Sequence, residues 1–188
     1  RPGRPHGRNA ASGRAVPHLL SLAMDPILFA SLVASCAPLV HPNTVHALVA
    51  VESSFNPHAI GVVGGVLHRQ PSTPAEARAT ANALQRDGWN FSVGLAQINR
   101  HNFQRLGLTL DSAFEPCHNL SAMQAVLVEC AERAVLRTPA TGSLRQALSC
   151  YYSGNFVTGF RHGYVQKVVA AARSLPRPRF NPSSKEPS

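Results

Sequence analysis

Acidic side chains are scarce in this sequence: nine Asp and Glu stand against 18 Lys and Arg, for a formal charge of +9. The excess is unevenly placed. Residues 1–14 carry four Arg and no acid, residues 171–188 a surplus of three positive charges, and the long middle, 15–170, a surplus of only two. A basic arm invites nucleic acid, but no recognition motif and no interleaved aromatics stand beside it, so nucleic acid is not an expected partner. A solvated arm is the simpler reading, and attraction to an anionic polymer is compatible with it. No run of 18 apolar residues occurs, so the chain is not expected to span a membrane. Cys-x-x-Cys and His-Glu-x-x-His are also missing, so nine His and four Cys make a poor metal reading, and no metal or cofactor is expected. The even cysteine count (Cys36, Cys117, Cys130, Cys150) suits two disulfides in an oxidising compartment, or four buried thiols in a reducing one.

Internal repeats are absent too, and the length suits one domain with tails. Residues 1–23 are expected to be a disordered basic arm or upstream sequence, with Met24 a candidate start; 24–172 is the expected domain and 173–188 a Pro-rich tail. Residues 19–40 read two ways. Arg14, the apolar run after it and Val33-Ala34-Ser35-Cys36 fit a secretion signal with a lipoprotein-type cleavage box. Asp25-Pro26 in mid-run instead suits the N-cap and first residue of a folded helix over 26–36, stopped before Pro38.

Further helices follow from caps and periodicity. Thr73-Pro74-Ala75-Glu76 is a capping box for a helix ending near Asp87-Gly88. Leu120, Met123, Leu127, Cys130 and Ala134 form the apolar stripe of a helix over 120–136. Ser143 to Gln146 is a second capping box, for a helix with Leu144, Ala147, Leu148 and Tyr151 inward, ended by Gly154; 164–172 is a last helical stretch. Gly61, Gly64 and Gly65 mark a turn, and 90–99 reads as extended, with Gln97 and Asn99 on one side. The balance is mostly α with a small β element.

Glu52 breaks this pattern. Asn43 is a good N-cap, and Val45, Leu48, Val49 and Glu52 fall at i, i+3, i+4 and i+7, so an acid stands where an apolar residue belongs. Asn56 precedes Pro57 and is pushed out of the helical region, which leaves Glu52 in or near the last turn. Burial and the negative end of the helix dipole both favour the protonated carboxyl, the equipment of a general acid. A Glu reaching solvent from a helix end is the plain alternative.

Three segments bear on that choice: Glu52-Ser53-Ser54-Phe55-Asn56-Pro57, Gly94-Leu95-Ala96-Gln97-Ile98-Asn99, and Ala147-Leu148-Ser149-Cys150-Tyr151-Tyr152-Ser153-Gly154-Asn155. In this order they resemble the lysozyme-like lytic transglycosylases, with the pattern Glu-Ser, Gly-Leu-Met-Gln-Ile and Ala-Tyr-Asn-Ala-Gly. Ala59 to Val62, Arg69-Gln70-Pro71, Asn90 to Val93, Pro116-Cys117-x-Asn119-Leu120 and Gly163-Tyr164-Val165 bring the resemblance nearest to the small transglycosylases of bacterial type IV secretion systems, over roughly residues 27–170.

The resemblance implies a lysozyme-like fold, a helical bundle with a small β element beside the catalytic cleft. It implies cleavage of peptidoglycan glycan strands between N-acetylmuramic acid and N-acetylglucosamine, in the periplasm, with type IV secretion components as partners. Glu52 matches the catalytic acid, which protonates the leaving oxygen and then serves as base on the muramoyl 6-hydroxyl, giving a 1,6-anhydro product. Ser53 matches a serine that contacts substrate or the carboxylate, Gln97 a glutamine lining the cleft, and Tyr151 the tyrosine that reaches the acid. Asn99 is either a cleft contact or support for the turn. The resemblance also implies a Cys36–Cys117 bridge, and with it Cys130–Cys150, although four cysteines allow three connectivities. Two departures stand out: Ala96 replaces the usual methionine, a smaller cleft-wall contact, and Tyr152 replaces the usual asparagine. A goose-type lysozyme, in which water attacks, and a non-catalytic peptidoglycan-binding module are the competing readings.

Overall fold

A computed structural model describes residues 24–137 and 144–175. The expectations for 1–23, for Ser143 as a cap and for 176–188 lie outside the described residues. Helix α1 (Pro26–Cys36) starts as its sequence dictates: Asp25 Oδ1 accepts the free N–H groups of Ile27 and Leu28 at 3.0 and 2.9 Å, and Pro26 needs no partner. Helix α2 (Pro42–Ser53) begins two residues earlier than expected. His41, not Asn43, is the cap; its Nδ1 accepts from the Asn43 N–H at 3.2 Å, while Pro42 takes the first position. In α3 (Pro74–Arg86), Thr73 Oγ1 accepts the Glu76 N–H. The return arm of that capping box is diverted: the Glu76 carboxylate takes the Ser72 N–H and a two-pronged Arg69.

The remaining helices are α4 (Pro116–Arg137), α5 (Leu144–Ser153), α6 (Thr158–Arg161) and α7 (Tyr164–Arg173). Helix α4 starts earlier than its stripe indicates, so Cys117 lies in a first helical turn rather than in a loop. All five stripe residues, Leu120 to Ala134, are buried. Leu144, expected inward, is exposed, because the inward face of α5 begins only at Ala147. Four-residue α6 has too little sequence to carry a periodic signal.

Three short strands, β1 (Ile60–Val62), β2 (Phe91–Val93) and β3 (Ile98–Asn99), form one antiparallel sheet in that order. Ile60 pairs with Val93, and Ser92 with Asn99. Gly61 is therefore a strand residue, not part of a turn. The stretch 90–99 is a hairpin rather than one extended segment; Gly94 to Gln97 reverse the chain, with the Gln97 N–H on the Gly94 carbonyl.

A single core runs from Phe29 in α1 to Val168 in α7. Helix α4 packs against α1 and α5, and α2 against α7. Two disulfides tie this core: Cys36–Cys117 joins α1 to α4, and Cys130–Cys150 joins α4 to α5. Among the described residues no helix is long and apolar enough to cross a membrane.

Candidate active site

Between the sheet and the helices lies a cleft of about 710 Å³, with Glu52 in its wall. The end of α2 fixes that carboxyl. Ser54 and Phe55 both take left-handed backbone conformations, φ 52° and 64°, which turn the chain sharply after Ser53. The Phe55 ring then seats edge-on against Phe29 at 5.1 Å and His46 at 4.7 Å, so an aromatic cluster offsets the strain of the turn.

Burial pushes the Glu52 carboxyl up to about 7 from the usual 4.5, against the opposing effect of a hydrogen bond from Tyr164. The Tyr164 hydroxyl donates to Glu52 Oε1 at 2.5 Å. Its own ionisation is pushed well above the ordinary tyrosine value, by burial first and then by the Glu52 charge, so it stays a donor. The hydrogen bond to the acid therefore comes from Tyr164 and not from Tyr151, although Tyr151 lies close enough to feel the Glu52 charge. The Tyr151 hydroxyl instead donates to the Ala96 carbonyl at 2.6 Å, and its ring lines the cleft. Gly163-Tyr164-Val165 is part of the sequence resemblance, but no local pattern marks that phenol as the partner of an acid 112 residues away.

The 94–97 turn carries the opposite wall. Buried Asn119 holds it from α4: its Oδ1 accepts the Ala96 N–H at 2.8 Å, and its Nδ2 donates to the Val93 and Ala113 carbonyls. Gly94 is required here, because φ is +79° and an added Cβ would lie 2.4 Å from Asn119 Nδ2. Ala96 is fully buried and is not among the cleft-lining residues; its backbone groups are held by Asn119 and Tyr151.

Gln97 lines the cleft in a left-handed conformation, φ 49°, and its Nε2 donates to the Ala59 and Gly94 carbonyls. Asn99 also lines it and supports the turn as well: Nδ2 donates to Asn90 Oδ1 and Ser92 Oγ, while Oδ1 accepts the His101 N–H. Ser53 is placed elsewhere. Its hydroxyl donates to the Val49 carbonyl of its own helix, and it is not among the cleft-lining residues.

The finished cleft combines amides and hydroxyls from Asn90, Ser92, Gln97, Asn99, Asn102 and Ser153 with two tyrosine rings. Among the described residues that line it, Glu52 is the only acid. Such a wall suits a neutral ligand dense in hydroxyl and amide groups, presented to one proton donor.

A helical domain with a three-stranded sheet at one side of a cleft, and a lone desolvated carboxyl in that cleft, defines a lysozyme-like domain. The chain belongs to the transglycosylase SLT domain family, whose model matches residues 29–169. It is 50% identical over 157 residues to the type IV secretion system protein virB1 of Brucella abortus biovar 1 (strain 9-941), covering 80% of this chain and 66% of that one. It is 39% identical over 154 residues to protein virB1 of Agrobacterium fabrum (strain C58 / ATCC 33970), covering 80% of this chain and 61% of the relative. With the Rhizobium radiobacter protein virB1 the identity is 40% over 158 residues, covering 83% and 65%. The chain thus spans just under two thirds of the length of the curated relatives it matches. No solved structure matches it at a significant level.

Proposed function

We propose that this chain is a peptidoglycan lytic transglycosylase that cleaves between N-acetylmuramic acid and N-acetylglucosamine, leaving a 1,6-anhydro-muramic end. The observation that carries the reading is the lone, protonatable Glu52 in an amide-rich cleft, within a transglycosylase SLT domain.

Protonated Glu52 donates to the glycosidic oxygen as the bond breaks. Tyr164 occupies Oε1, which leaves the other carboxyl oxygen to exchange the proton. The carboxylate so formed is a base strong enough to take the proton of the muramoyl 6-hydroxyl, since its conjugate acid titrates at about 7. That hydroxyl closes on the anomeric carbon of its own ring. Two-carboxylate glycosidases need a second acid to activate water or to bind the sugar; the described residues that line this cleft offer none, and the tethered hydroxyl has a large effective concentration. Gln97, Asn99 and Tyr151 are assigned to the glycan-binding wall, and Ser53 to the support of the helix end that bears Glu52.

The virB1 relatives and the two disulfides support a place in the periplasm, where local opening of the wall serves assembly of a type IV secretion apparatus. Digestion of purified sacculi followed by mass spectrometry tests the reaction. The expected muropeptides are about 18 Da lighter than hydrated ones, the mass of one water. Products with reducing ends would replace the transglycosylase reading by a hydrolytic one.

A further inference from the structure

We propose that Tyr152, braced by Tyr164 and His162, is the sugar-stacking wall of the cleft and sets the affinity of this chain for N-acetylated glycan. The inference rests on the glycan reading above and adds a specificity-determining residue to it. Tyr152 stands where the resembling transglycosylases carry asparagine, so it offers an aromatic face where they offer an amide. Its ring stacks on Tyr164 at 4.6 Å and 21°, and its hydroxyl meets His162 Nδ1 at 3.2 Å. Those contacts cover one face and the phenol end. Tyr152 as a residue nevertheless stays 44% exposed, and it lines the same cleft as Glu52, whereas Tyr164 beneath it is 6% exposed.

A core aromatic residue would not stay that exposed, and a loose surface one would not be held on two sides. A rigid, partly open ring with its polar end already satisfied presents an apolar plane, at little entropic cost on binding. The C–H faces of a pyranose ring are apolar and flat enough to lie on it, while the neighbouring amides take the hydroxyl and acetamido groups. Because Tyr152 rests on the ring that holds Glu52, a sugar seated on it lies close to the acid.

The test measures binding of a soluble octasaccharide of alternating N-acetylglucosamine and N-acetylmuramic acid to the non-reacting Glu52→Gln chain. Adding Tyr152→Asn is expected to weaken the Kd about tenfold, as for truncation of a central aromatic anchor. Adding Tyr152→Phe, which keeps the face and loses the hydroxyl contact with His162 Nδ1, is expected to stay within about twofold of the parent. With Glu52 intact, Tyr152→Asn should raise KM more than it lowers kcat. An unchanged Kd in Tyr152→Asn overturns the inference and leaves the glycan reading standing, as does a collapse of kcat at unchanged Kd, which would make Tyr152 only a brace for Tyr164. No binding by the Glu52→Gln parent overturns the glycan reading, and this inference with it.

Discussion

Tyr164 lies 112 residues beyond Glu52 in the chain, yet its hydroxyl donates to Glu52 Oε1 at 2.5 Å. That bond favours the ionised carboxylate and so restrains the upward shift that burial imposes. Removing it in Tyr164→Phe should raise the Glu52 pKa further. The alkaline limb of the pH–rate profile, expected near pH 7 in the parent, should move to higher pH while the maximal rate falls through lost orientation. A limb that stays put or moves down would show that the phenol does not control the acid.

Replacing Glu52 by Gln should abolish turnover, since general acid–base catalysis contributes roughly a hundred- to ten-thousand-fold. The same variant reports on stability. Folding raises the Glu52 pKa from 4.5 to about 7, so its protonated form is favoured in the native state. The associated stability is complete below pH 4.5 and is lost as pH rises through about 7. Glu52→Gln should therefore match the parent near pH 4 and exceed it at pH 8 by on the order of 3 kcal/mol. Denaturant titrations across that range decide it; parallel stability curves would mean the carboxyl is not desolvated.

Asn119 satisfies three backbone groups inside the core. Asn119→Ala leaves the Ala96 N–H and the Val93 and Ala113 carbonyls without that partner and opens a void, at a cost of about 3 kcal/mol or more. The loss should appear in thermal melts, together with reduced activity, because the turn that bears Gln97 loosens. Stability within about 0.5 kcal/mol of the parent would contradict this account.

The two bridges close loops of different size, 81 residues for Cys36–Cys117 and 20 for Cys130–Cys150. On loop-closure entropy, replacing the first pair by serines should cost about 4 to 5 kcal/mol and the second about 3 kcal/mol. The reverse order in denaturant unfolding would point to native-state effects instead.

A chain of residues 24–175 should fold and cleave purified peptidoglycan, because it keeps the whole core formed by the described residues, from Phe29 to Val168. Native-like circular dichroism with no activity would assign a catalytic contribution to the removed ends.

The sequence announces some of this architecture and hides the rest for physical reasons. Helices α1, α3 and α4 are legible because Asp25, Thr73 and the stripe from Leu120 to Ala134 act within a few residues of themselves. Glu52 is legible for the same reason, as an acid on a local apolar stripe. Strand β1 has three residues, one of them Gly61, and forms only because Ile60 finds Val93 across the sheet. The hairpin is hidden because Gln97 adopts a left-handed conformation that its residue type does not advertise, held there by the surrounding turn. Tyr151 and Tyr164 are both tyrosines near a predicted helix, and only the packing of α2 on α7 decides which of them reaches the acid.

The Cys36–Cys117 bridge has one more consequence. The loop it closes contains Glu52, the whole sheet and the exposed segment around Val63 and Val66. A protease that cuts the chain there leaves two fragments still covalently joined through α1 and α4, with Glu52 on one and Tyr164 on the other. A nick in that loop then leaves the two pieces tethered at their native interface instead of free to dissociate.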